Sequence, residues 1–246
     1  MTDRMLEGAR TKQDVRNRVW SLLEREGAAR FPGARGRIPN FAGAEAAAER
    51  LAGLNEWRRA AVIKANPDAP QLPVRARALE DGKRLYMAVP RLRADKPFLR
   101  LEPARLDRPP RRAASIKGAS GAGHPVLIED MERVDVVVCG SVAVNRKGVR
   151  VGKGGGYSDL ELGLLAEAGM IHEETVLLTT VHPIQVLEEE LPETEHDFRV
   201  RLIVTPSEVI RTGARRPPAG ILWDHLEEER IAAIPALAAL ASQRSR

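Results

Sequence analysis

Ten consecutive residues, Arg150-Val151-Gly152-Lys153-Gly154-Gly155-Gly156-Tyr157-Ser158-Asp159, carry the most legible chemistry of the chain. Four glycines within positions 152 to 156 leave backbone N–H groups uncovered and permit positive φ, so a polyanion can approach the main chain closely. Arg150 and Lys153 add cationic donors. A helix expected to begin near Ser158 brings the unpaired N–H groups of its first turn to the same place. Asp159 stands where a magnesium ion carried on phosphates would take a single carboxylate. Neither a G-x-G-x-x-G fingerprint nor a P-loop fits: Gly148 to Gly152-Lys153-Gly154 differs from the P-loop in spacing and in its final residue. The same stretch also reads as a flexible strand-to-helix connection without a ligand. Its basic flanks and its place after a strand favour the phosphate reading.

Lys12 and Arg16 are a second cationic pair. Four residues apart on an expected helix, they share a face and can reach one polyphosphate, although the pair also reads as a solvated helix face. His124, His172, His182, His196 and His225 show no ligand spacing such as H-x-x-x-H, and no serine sits in G-x-S-x-G. No covalent nucleophile is assigned. Cys139, the single cysteine, lies within Val136-Val137-Val138-Cys139 and reads as a small buried hydrophobe.

These groups need a scaffold. Thr11-Lys12-Gln13-Asp14 opens a helix with a capping-box variant, Val15, Val19, Leu22 and Leu23 recur at helical spacing, and Gly27 stops it. A Gly/Arg/Pro loop follows from Pro32 to Pro39, then an alanine-rich helix from about Ala44 to Leu51. Ala61-Val62-Ile63-Lys64 reads as a short buried strand ended by Asn66-Pro67, Val74 to Glu80 as a helix, and Leu85 to Val89 as the next strand. From Arg91 to Gly123 the proline- and arginine-rich pattern predicts irregular structure, a long excursion on the substrate side. Val134 to Gly140 has the unbroken apolar character of a strand covered on both faces. Thr175 to Val181 and Arg201 to Thr205 are further strands, and a helical region from Leu222 to Ala241, interrupted at Pro235, closes the chain. Strands alternating with helices predict an α/β fold with a mostly parallel sheet, whose ligands sit at the carboxyl ends of the strands.

A chain of 246 residues with 43% hydrophobic and 30% charged residues can bury a full core, and one domain spanning 1–246 is expected. No apolar run approaches the ~18 residues of a membrane span. Met1 to Met5 lacks the apolar stretch of a secretory signal, so a cytoplasmic location is the expectation. The net charge of +5, from 39 basic and 34 acidic residues, does not demand a nucleic-acid partner. Arg108 to Arg112 and Arg211 to Arg216 are local basic clusters that read as solvated loop surface. Aromatics make up 4% of the residues and do not interleave with the arginines as a stacking platform.

Lys12-x-x-x-Arg16 together with Asp135-Val-Val-Val and Gly148-Val-Arg150-Val-Gly152-Lys-Gly-Gly-Gly-Tyr157-Ser-Asp159 resembles the 5-formyltetrahydrofolate cyclo-ligase (methenyltetrahydrofolate synthetase) family over nearly the whole chain. Arg37-Ile-Pro-Asn-Phe41, Asn66-Pro-Asp-Ala-Pro-Gln71, Gly140-Ser-Val-Ala-Val144 and Thr205-Pro206 are similar to its divergent branch, the methenyltetrahydrofolate synthetase domain-containing proteins. The resemblance implies a three-layer αβα fold and an ATP- and magnesium-dependent reaction. The formyl oxygen of 5-formyltetrahydrofolate takes the γ-phosphoryl group, N10 closes the ring, and phosphate leaves to give 5,10-methenyltetrahydrofolate. Such a transfer rests on positioning and charge neutralisation. By motif match, Lys12, Arg16, Arg150, Gly152, Lys153, Gly154, Gly155, Gly156 and Tyr157 would hold ATP, with Arg150 and Lys153 as the catalytic cations. Asp159 would ligate magnesium, and Arg16, Tyr157 and Asp68 would meet the folate.

The chain departs from the family pattern on the folate side. Tyr157-Ser158 stands where the family has Tyr-Tyr, and Val144-Asn145 where it has Phe-Asp. The folate-binding glutamate expected after the Ala61 strand is missing, Asp68 being the nearby carboxylate. Arg201 occupies the place expected for a second acidic magnesium ligand, with Asp197 as a substitute. Two further readings therefore stay open: a paralogue with a nucleotide site and a different small substrate or salvage role, and a non-catalytic, RNA-associated binding module.

Overall fold

The computed structural model describes residues 11–214 and 218–244. Met1 to Met5 and the Arg215-Arg216 part of the second basic cluster lie outside them. Helix α1 (Lys12–Arg25) is followed by α2 (Ala44–Ala52), α3 (Asn55–Arg59), β1 (Val62–Ala65), α4 (Leu72–Glu80), β2 (Arg84–Ala88) and β3 (Phe98–Leu101). Then come α5 (Pro110–Ala113), α6 (Ile116–Ala122), β4 (His124–Val126), β5 (Val136–Cys139), β6 (Ala143–Asn145), β7 (Arg150–Val151) and α7 (Tyr157–Glu167). The chain ends with β8 (Val176–Thr180), β9 (Val186–Leu187), β10 (Leu202–Val204), β11 (Val209–Arg211), α8 (Glu228–Ala232) and α9 (Pro235–Arg244).

Eight strands form one sheet in the order β11-β10-β8-β5-β1-β2-β3-β4. Its centre is parallel, from β10 through β8, β5 and β1 to β2, while β11, β3 and β4 add antiparallel edges. The period of two along each strand divides the core. Val137 and Cys139 of β5 face Leu162 and Leu165 of α7 and Leu237 of α9, whereas Val136 and Val138 face Leu51 of α2, Trp57 of α3 and Val74 of α4. Helices on both faces of the sheet make the three-layer αβα architecture. β5 is paired on both sides, by β1 and β8, and all four of its residues are buried. Cys139 is a free, fully buried thiol, pushed up to about 11 by burial.

The glycine-rich loop follows a strand, as expected, and that strand belongs to a second sheet, β7-β6-β9. β6 and β7 form a hairpin that packs Ala143, Val149 and Val151 against Val15, Val19 and Leu23 of α1. Asn145, where the family has an aspartate, builds the turn. Its Oδ1 accepts the N–H groups of Lys147 and Val149 at 3.1 and 3.0 Å. The capping box of α1 is present in both directions, with Asp14 N–H donating to Thr11 Oγ1 and Thr11 N–H to Asp14 Oδ2. The small sheet and α1 thus form a unit that delivers both cationic motifs to the edge of the large sheet.

Residues 91 to 123 correct an expectation. They are not irregular throughout: β3 pairs with β2 in register Leu85↔Leu101 to Ala88↔Phe98, and α6 is capped by Ser115 Oγ, which accepts from Gly118 N–H. Alternation is masked in β3 because Phe98 and Leu101 are buried while Leu99 and Arg100 are half-buried. A four-residue strand carries too few positions for its period to be read.

Candidate active site

The carboxyl ends of β1 and β5, the loop between β7 and α7, and the first turns of α1 enclose a cavity of about 810 Å³. Lys12, Arg16, Asp68, Arg150, Gly152 to Tyr157 and Asp159 all line it, so the tertiary structure brings together the residues expected to meet ATP, magnesium and the folate. β7 ends at Val151, and Gly156 with φ of 66° caps α7, which begins at Tyr157. Gly154 is also left-handed, with φ of 100°. Side chains rarely adopt such angles, which accounts for glycine at both positions.

Guanidinium groups hold this loop. Arg16 Nε donates to Gly152 O at 2.7 Å, and burial holds Arg16 below its ordinary range, opposed by Asp197. Arg150, 4% exposed, donates to Gly140 O at 2.8 Å and to Asp159 Oδ1 at 3.1 Å, and lies 4.5 Å over the ring of Phe198. It locks the glycine after β5 to the first turn of α7. Arg230 of α8, which the sequence reading did not single out, donates to Gly155 O at 2.6 Å and lies 5.0 Å over the ring of Tyr157.

Carboxylates neutralise the remaining cations. Lys153 Nζ lies 3.3 Å from Asp68 Oδ1. Lys12 Nζ donates to Asp197 Oδ2 at 2.5 Å, and Thr194 N–H donates to the same oxygen. Asp197 is therefore a partner of Lys12, and as the substitute metal ligand it would first have to leave that cation. Arg201 does not face the cavity. It donates to Glu173 O and borders a separate cavity of about 300 Å³ with Glu56 and Arg211.

A buried polar chain lies beneath the loop. Lys64, wholly buried in β1, is ion-paired with Glu161 of α7 and donates to Asn66 Oδ1 at 2.7 Å; Asn66 Nδ2 then donates to Ser158 Oγ at 3.2 Å. Burial pushes the carboxyl of Glu161 up, opposed by Lys64, while nearby Asp68 and Asp159 reinforce the rise. Ser158, where the family has its second tyrosine, is thus fixed in a hydrogen-bonded chain. Arg75, also buried, donates to the carbonyls of Asn66, Asp68 and Ala114 and so shapes the turn that presents Asp68. Burial pushes it down to about 10, against the pull of Asp68. Gly140 admits this turn: a Cβ there would meet Asp68 Oδ2 and Ile38 at 3.0 Å. The signal for Lys64 is present in the sequence as a lysine inside an apolar strand, since a charge at a buried position needs a partner. Nothing in the sequence names Glu161 as that partner.

Among the described residues, no group of three or more His, Cys, Asp or Glu side chains could hold a metal ion, and no helix is long and apolar enough to cross a membrane. Asp159 accepts one hydrogen bond, from Arg150 to Oδ1. A single carboxylate at the start of α7 suits a magnesium ion that arrives with phosphates rather than one held by the protein alone.

The model of the 5-formyltetrahydrofolate cyclo-ligase family matches residues 9–206. The methenyltetrahydrofolate synthase domain-containing protein of Bos taurus is 40% identical over 245 residues, covering 95% of this chain, and that of Mus musculus is 41% identical over 239 residues, covering 92%. The chain spans 62% of the length of each of these relatives. The NMR structure of Aquifex aeolicus 5,10-methenyltetrahydrofolate synthetase superposes with a TM-score of 0.51 at 21% identity, over 87% of this chain and 99% of that one, a likeness of fold.

Proposed function

The chain belongs to the 5-formyltetrahydrofolate cyclo-ligase family, and from that premise we propose that it is an ATP- and magnesium-dependent ligase that cyclises 5-formyltetrahydrofolate to 5,10-methenyltetrahydrofolate. The observation that carries this reading is the convergence of Lys12, Arg16, Arg150, Lys153 and the glycine loop on one cavity at the start of α7. Such a cavity neutralises a triphosphate with side-chain cations, main-chain N–H groups and the helix dipole together. The unit 1–246 is proposed to work as a single domain in the cytoplasm, on ATP and a folate, without a nucleic-acid partner.

In this scheme Lys12 and Arg16 hold the phosphates from the α1 side, and Gly152 to Tyr157 wrap them. Lys153 and Arg150 stabilise the charge that builds on the transferring phosphoryl group. Asp159 is the residue that would hold magnesium, which would supply further neutralisation of the phosphate oxygens. The formyl oxygen attacks the γ-phosphorus as its bond to the bridging oxygen breaks and ADP departs. N10 then adds to the activated formyl carbon and gives up its proton, and the bond from that carbon to the phosphorylated formyl oxygen breaks, releasing phosphate. Arg16, Tyr157 and Asp68 border the folate. Mixing the protein with ATP, magnesium and 5-formyltetrahydrofolate should give a rise in methenyltetrahydrofolate absorbance that depends on each component. No rise, with ATP binding intact, would turn the reading to its alternative.

That alternative is an ATP-binding paralogue with another small acceptor. It is favoured by the folate side, where Ser158 is tied to Asn66 and Asp68 to Lys153.

A further inference from the structure

Residues beyond 206 lie outside the family-matched stretch, yet they reach the glycine loop. The segment from residue 218 onward runs along α7. Ile221 N–H donates to Glu167 Oε1 at 2.7 Å, and a Cβ on Gly163 would meet Ile221 at 2.9 Å, so the contact exists because position 163 has no side chain. Ile234 and Leu237 then enter the core, 2% and 0% exposed. Between these anchors α8 presents Arg230 to the loop. Its Nη2 donates to Gly155 O at 2.6 Å, its guanidinium covers the Tyr157 ring, and a Cβ on Gly156 would lie 3.1 Å from Nη2. The contact therefore involves three consecutive loop residues.

We propose that Arg230 is a positioning residue for polyphosphate binding: it fixes the carbonyl of Gly155 and the ring of Tyr157 so that the loop is preformed for the anion. The inference rests on the reading that the loop binds a nucleotide triphosphate. Three consecutive glycines have many conformers, and in a large fraction of them a carbonyl rather than an N–H faces the site, which repels phosphate. A carbonyl accepting from a guanidinium cannot turn inward, and a ring under the same guanidinium cannot swing across the opening. Arg16, on Gly152 O, secures the other end of the loop. Residues 16 and 230, far apart in the chain, thus clamp the four-residue stretch from Gly152 to Gly155 between them.

The test compares the wild type with Arg230→Ala and Arg230→Gln by amide hydrogen exchange of residues 152 to 157 without ligand, and by equilibrium dialysis of ATP with magnesium. Arg230→Ala is expected to speed exchange in this loop, with the rest of the chain unchanged, and to weaken ATP binding about tenfold, the value of one charge-assisted hydrogen bond. Arg230→Gln can still donate to Gly155 O and should recover part of both. Loop exchange unaltered in Arg230→Ala, or raised equally throughout the chain, overturns the inference. A wild type that binds no ATP defeats the nucleotide reading instead, and loop exchange then still decides whether Arg230 orders the loop.

Discussion

Lys153 Nζ rests 3.3 Å from Asp68 Oδ1, so the loop lysine is paired with the carboxylate just beyond the end of β1. Lys153 is 48% exposed, and water screens the pair, which contributes under about 1 kcal/mol to folding. In the proposed reaction its significance would lie in binding: a triphosphate that draws Lys153 away would leave Asp68 free for the second substrate.

Replacing Asp68 with Asn should consequently tighten ATP binding in the absence of folate, by up to about fivefold, because Lys153 no longer leaves a carboxylate. Lys153→Ala should lower turnover by about 10²-fold or more with an almost unchanged melting temperature. Dialysis of ATP, the absorbance assay and thermal melts check both. Weaker ATP binding in Asp68→Asn would contradict the exchange of partners.

Asp159→Asn should abolish the enhancement of ATP binding by magnesium. It should also destabilise the fold by about 1–3 kcal/mol, since Arg150 would lose its carboxylate while buried. Denaturant titrations and ATP binding with and without magnesium separate the two effects. Magnesium enhancement that survives the substitution would remove Asp159 as the ligand.

Lys64 and Glu161 form a buried pair. Lys64→Met or Glu161→Leu alone should cost about 3–5 kcal/mol by leaving a buried charge without its partner, whereas the double change Lys64→Met with Glu161→Leu should recover most of it. A double mutant as unstable as the sum of the singles would show the pair to be uncoupled.

Stability should depend on pH through Asp197. Burial alone would raise its carboxyl, but donors from Lys12 and Thr194 outweigh this and hold it below the usual range. A carboxyl lowered in the folded state adds stability that is present above its unfolded value, about pH 4, and disappears as pH falls through the lowered value. Thermal melts should show Asp197→Asn less stable than the wild type at pH 7, with the gap closing as pH falls below the ordinary carboxylate range of about 4. A gap of constant size would refute the assignment.

The local sequence determined what depends on neighbours in the chain. Thr11 and Asp14 fix the start of α1, the Val136-Val137-Val138-Cys139 run can only be a strand covered on both faces, and Gly154 and Gly156 admit the left-handed turns of the loop. The candidate cations were legible too, because a basic glycine-rich loop before a helix announces its chemistry through residue type. Periodicity could not show β3, β4 and the hairpin of β6 and β7, whose strands of two to four residues are held by pairing rather than by propensity. The partners were decided by tertiary structure alone. Lys12 with Asp197, Lys64 with Glu161 and Arg230 with Gly155 join residues 185, 97 and 75 positions apart. A charge declares in sequence that it needs a counterpart, but which one it meets depends on how sheets and helices stack, and that is a property of the whole fold.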